Sequence, residues 1–158
     1  MSNEIDAKIA RAKEALGQFG YGYTDVSARE FYVWMTAEIF SADTTTFRDV
    51  LGNEYLMIHE LVEISKLKRM GRSIDKRVIV NSPRTMIHDA HLAAMEMELK
   101  YVLNKGDTYW AKIRLRQHKE SVLDDDPNVP EELRPRATKI FKKYRELAEQ
   151  ASEQPVNL

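Results

Sequence analysis

Two long stretches with apolar residues at helical rather than alternating spacing constrain this chain most. They are NEYLMIHELVEISKLKR, from Asn53 to Arg69, and PRTMIHDAHLAAMEMELKYVLN, from Pro83 to Asn104. Each places histidine and carboxylate groups among Leu, Ile, Val, Ala and Met. With His88 at 0° and 100° per residue, Ile87, Ala90, Ala94, Met95, Tyr101 and Val102 fall between about 200° and 340°, one broad apolar face. His91, at about 300°, and Glu98, at about 280°, lie in the middle of it. An unpaired carboxylate buried there costs several kcal/mol, so something must compensate Glu98.

The first stretch supplies the partner. His59 and Glu63 are four apart and stack on one side of a helix. If the two helices run antiparallel about a loop centred near residue 76 or 77, Glu63 lies level with about position 90 and His59 with about position 94. Four polar groups then converge between two helices. His91 and Glu98 stand about 10.5 Å apart along their own axis, which keeps them from ligating one ion together. The best single-ion set is His59, Glu63 and His91, with His88 or Glu38 as further candidates. Two imidazoles plus carboxylate suit Zn²⁺, Fe²⁺, Mn²⁺ or Ni²⁺. A metal-activated water, with Glu63 or Glu98 as base, fits hydrolysis. The alternative is a buried polar network of purely structural value, in a non-enzymatic interaction or oligomerisation module.

The remaining segments read as helices too. Ile5, Ile9, Ala12 and Leu16 mark a helix from about Glu4 to Leu16, broken by the glycines of GQFGYGYTDV. Asp25 or Ser27 caps a second, over 27–41, in which Phe31, Trp34, Met35 and Ile39 share a face with Glu38. Thr44 to Thr46 offer caps for a short turn. The third helix ends at Gly71 and the fourth at Gly106. Val78 to Val80 is β-branched but too short and solitary for a sheet, so it reads as an ordered loop. Asp107 or Thr108 caps a fifth helix to about Leu123, DDDPNVP is a polar linker, and Pro130 opens a sixth. The expectation is an all-α, single-domain bundle of five or six helices over residues 1–151, helices three and four an antiparallel pair, with a frayed tail over 152–158.

Composition narrows the chemistry. There is no cysteine among the 158 residues, so disulfides, thiolate ligands and cysteine nucleophiles are excluded. Net charge is −1, which gives no global pull toward nucleic acid. Ten Lys or Arg lie between Lys112 and Arg145 against six acids, and Asp124 to Asp126 interrupt them, so this basic stretch reads as a solvated face. His118, within it, is expected to be exposed. No apolar run reaches the roughly 18–20 residues of a membrane span, and the charged N-terminal stretch is no secretory signal. A cytoplasmic protein is expected, with a homodimer as candidate assembly.

Motif comparison is mostly negative. HELVE resembles the zincin HExxH with its second histidine replaced by Glu63. Ferritin-like di-iron bundles need two Glu-x-x-His segments, and neither is present. His88-Asp89 resembles the HD pair of metal-dependent phosphohydrolases, with His59 upstream as a first ligand, although Asp89 lies at about 100°, away from the face holding His91. GQFGYGYTD lacks the phosphate-loop pattern and reads as an aromatic-rich connector.

Overall fold

The computed structural model describes residues 2–40, 45–124 and 129–153, and all the regular structure among them is helical. The expected cap Thr44, most of the 124–130 linker and residues 154–158 of the expected frayed tail lie outside the described residues. The chain divides into two compact units, Met1–Glu98 and Leu99–Leu158.

The first unit is organised around one helix. Its elements are α1 (Ser2–Gln18), α2 (Ala28–Met35), α3 (Phe47–Leu51), α4 (Glu54–Arg69), α5 (Val78–Asn81) and the larger part of α6 (Arg84–Asn104). On α4, Met57, Ile58, His59, Leu61, Val62, Glu63, Ile64, Ser65 and Leu67 are all buried. Nine buried positions within eleven residues leave no solvated stripe, the signature of a central helix packed on every side. Helices α1, α2 and α3 pack on it, and α6 meets it through three side-chain pairs: His59–Glu98, Glu63–His91 and Lys66–Asp89. As the number on α4 rises, its partner's number on α6 falls. The two helices therefore run antiparallel, as expected.

Local signals set the register of both. Asn53 accepts hydrogen bonds from the Tyr55 and Leu56 amides at 2.9 and 3.1 Å, fixing where α4 begins. At its other end Gly71 adopts φ 88°, while the Arg72 amide bonds the Leu67 carbonyl and the Gly71 amide that of Lys68. This is the Schellman closure, which needs the left-handed conformation that glycine adopts without steric cost. For α6, the Met86 and Ile87 amides donate to the Pro83 carbonyl, so the helix starts where proline's fixed φ is already helical.

The sequence reading needs correction at three places in this unit. The second helix stops at Met35 rather than 41: the Ala37 amide tightens to the Trp34 carbonyl and the Glu38 amide leaves the ladder for the Lys76 carbonyl at 2.8 Å. Ile39, expected on a buried face, is 48% exposed. The Val78 stretch is the short helix α5, not a loop: Val78 and Ile79 are buried as one helical turn despite their strand propensity.

The second unit pairs α7 (Thr108–His118) with α8 (Arg134–Glu153). Ala111, Leu115, His118 and Val122 are buried on one side and Ala137, Ile140, Tyr144 and Ala148 on the other, both at helical spacing. Helix α7 runs into a π-helical turn, Lys119–Leu123, and a 3₁₀ turn, Glu131–Leu133, precedes α8. His118, expected to be solvated, is 1% exposed, and its Nε2–H donates to the Ala137 carbonyl at 2.9 Å. Its polar neighbours in sequence concealed an inward-facing position one turn beyond Leu115.

Glycine substitutions separate backbone strain from side-chain contact. A Cβ on Gly17, within α1, or on Gly71 meets nothing within 4 Å. Gly17→Ala is expected to raise stability by about 0.4–1 kcal/mol, and Gly71→Ala to lower it by about 1–2 kcal/mol through left-handed strain. Urea unfolding of the two variants would give midpoints shifted in opposite directions; equal shifts would contradict the assigned helix end.

Candidate metal centre

Four titratable side chains meet in the apolar interior between α4 and α6. His59 is 3% exposed, Glu63 8% and Glu98 0%. Glu63 Oε1 lies 2.6 Å from His59 Nε2 and 3.4 Å from His91 Nδ1. Glu98 Oε1 lies 2.9 Å from His59 Nδ1. The rings of His59 and His91 meet edge to face at 5.0 Å between centroids. His59 Nε2 or Nδ1, a Glu63 oxygen and a His91 nitrogen form a group whose donor atoms all lie within 4.8 Å of one another.

Helix geometry explains why these residues meet. His59 and Glu63 are one turn apart on α4. The level of Glu63 was expected opposite position 90, and its partner is His91. His59 was expected opposite position 94, yet it bonds Glu98. Side chains lean toward the N-terminus of their own helix. In an antiparallel pair, His59 and Glu98 therefore lean toward each other, which closes the roughly 6 Å of axial offset.

The other expected ligands lie elsewhere. Glu38, no longer on a helix, pairs with Arg77 Nη1 at 2.5 Å on the exposed surface, and its amide bonds the Lys76 carbonyl. His88 sits with its ring 6.1 Å from Phe40, over which the Arg84 guanidinium stacks at 3.6 Å. Glu98 stands behind His59 rather than among the three donors. Lys66, which sequence reasoning passed over, flanks the centre: its Nζ lies 3.6 Å from Asp89, one turn beyond Glu63. The spacing of Glu63 and Lys66 was the available signal. Glu60 accepts a 2.7 Å hydrogen bond from the Trp34 indole.

Charge orders this cluster strongly. Burial alone pushes the His59 imidazolium toward losing its proton, but the Glu63 charge and the hydrogen bonds to Glu63 and Glu98 outweigh it and raise its pKa to about 10. Burial likewise pushes Glu63 up, and is outweighed by His59 and His91, which hold it well below the usual carboxylate value. With His59 protonated and Glu63 ionised, the two form an ion pair inside the first unit. The side chain of His91, 31% exposed, is the part of the donor group that reaches solvent.

Comparison of the chain with protein families, with curated proteins and with solved structures finds no match. The reading of this centre therefore rests on its own chemistry.

The pKa shifts set a pH window. Stabilisation from His59, raised above its ordinary 6.5, is complete below that value and is lost as the pH climbs through about 10. Stabilisation from Glu63, depressed below its ordinary 4.5, is present above that value and is lost as the pH falls beneath it. Glu63→Ala is expected to cost about 3–5 kcal/mol between these limits, with the difference from wild type shrinking toward pH 10. Chemical unfolding of both proteins across pH 5 to 10 measures this, and a constant or growing difference would contradict the ion pair.

Proposed function

We propose that the protein binds one divalent first-row metal ion between α4 and α6, with His59, Glu63 and His91 as its protein ligands. The observation that carries this reading is the convergence of three nitrogen and oxygen donors from two helices within 4.8 Å. Bonds of about 2.1 Å to Zn²⁺ or Fe²⁺ place neighbouring donors about 3.0–3.4 Å apart. The His91–Glu63 separation of 3.4 Å already suits this, and the 2.6 Å His59–Glu63 contact needs to open by about 0.4–0.8 Å.

Two histidines and one carboxylate form a donor set used for catalytic zinc and for non-haem iron, with coordination positions left to water or substrate. His91 marks the side from which solvent reaches the ion. A metal-bound water ionises near neutral pH, so hydrolysis is the reaction class that this set supports. With Glu63 among the ligands and Glu98 against His59, activation of the water falls to the metal.

A second reading draws on the same 2.6 Å contact, which is a closed ion pair. In it, the cluster orders the helices, and exposed Tyr32, Ile39, Tyr109 and Leu147 serve an interaction module or homodimer.

Elemental analysis of untagged protein dialysed against Zn²⁺, Mn²⁺ or Fe²⁺ separates the two. Metal binding predicts one ion per chain, lost in the His59→Ala, His91→Ala double variant. It also predicts release of about one proton per ion from His59, so affinity rises about tenfold per pH unit from pH 7 to 9. A folded wild type that retains no ion favours the structural network.

A further inference from the structure

Two carboxylates touch His59, and they differ in what they can do for it. Glu63 faces Nε2 and shares that side with His91. Glu98 faces Nδ1, across the ring, from a fully buried position. An ionised carboxylate only accepts hydrogen bonds, so at the 2.9 Å contact the Nδ1–H donates to Glu98. Nε2 is then the nitrogen that gives up its proton to an entering ion and presents a lone pair on the side of Glu63 and His91.

We infer that Glu98 is a positioning residue for metal capture: it holds His59 in the Nδ1–H tautomer and fixes the ring so that Nε2 is the ligating atom. This assignment rests on the metal reading above and gives Glu98 a role distinct from that of a ligand. A carboxylate behind a ligating imidazole orients the ring and strengthens it as a donor. The structure supplies what such an arrangement needs. Glu98 approaches from α6 while His59 belongs to α4, so the bond also ties the ligand's ring to the second helix. Leu99 and Met95 beside it are buried, which holds the carboxylate's backbone in place. His91, by contrast, has its side chain 31% exposed and its Nδ1 3.4 Å from Glu63, so it is the ligand with room to adjust as an ion enters.

The pair Glu98→Gln and Glu98→Met tests this. The Gln carbonyl oxygen still accepts from Nδ1–H, whereas Met keeps the volume and loses the acceptor. With Zn²⁺ in a competition titration, Glu98→Met is expected to bind about 10–100-fold more weakly than wild type and Glu98→Gln within about tenfold. With Co²⁺ as a spectroscopic probe, Glu98→Gln keeps the wild-type visible absorption and Glu98→Met alters it, since the freed ring changes the ligand field. Should Met destabilise the core, nitrogen-15 NMR of Zn²⁺-loaded wild type decides the matter: the ion on Nε2 with Nδ1 protonated supports the assignment, and the ion on Nδ1 overturns it. If wild type binds the ion and Glu98→Met binds it equally with an unchanged spectrum, the assignment falls while the metal site stands. If Glu98→Gln loses the ion as completely as His59→Ala does, Glu98 is a direct ligand and the assignment falls. A wild type that takes up neither ion overturns the site and the assignment together.

Discussion

An imidazole held between two carboxylates in an apolar interior is the interaction on which the first unit depends. Helix α4 is buried on every side, so any polar group on it must find its partners within the protein. His59 finds them in Glu63 on its own helix and Glu98 on α6. Apolar packing tolerates small shifts of register; this cluster does not. Sliding α6 by one residue would move Glu98 about 1.5 Å along the axis and rotate it about 100° off the face, leaving buried charge unmet. The cluster thereby selects one alignment of α4 and α6, and the same alignment brings His91 to Glu63.

Much of this arrangement was legible in the sequence, because polar residues on an apolar helical face are a strong signal. The faces of the third and fourth helices, their antiparallel course, their glycine stops and the meeting of His59, Glu63, His91 and Glu98 all followed from spacing. The pairing of His59 with Glu98 needed one further term, the lean of side chains toward each helix's N-terminus. What stayed hidden depended on contacts distant in sequence. Glu38 fell outside the cluster because its amide bonds the Lys76 carbonyl instead of continuing α2, a contact distant in sequence that face counting ignores. Glu60 turned inward because Trp34 lay within reach. The VIV stretch became a helical turn because its surroundings, not its propensity, decided.

The second unit gives a useful contrast. His118 is as buried as His59, yet it meets a backbone carbonyl rather than carboxylates. A carbonyl can only accept, so Nε2 must carry hydrogen, and that nitrogen is committed to joining α7 to α8. Burial alone does not make a histidine a ligand. The difference lies in whether its nitrogens face groups that can share an ion, and among the described residues the His59, Glu63 and His91 set meets that condition.

Nitrogen-15 NMR of the imidazole side chains tests the central claim most directly. In metal-free protein at pH 8, His59 is expected to show both ring nitrogens protonated, as an imidazolium between Glu63 and Glu98. Added Zn²⁺ should then convert Nε2 alone to a metal-bound nitrogen, with Nδ1 keeping its proton. A His59 that titrates near its ordinary 6.5 and ignores Zn²⁺ would contradict the account at its foundation.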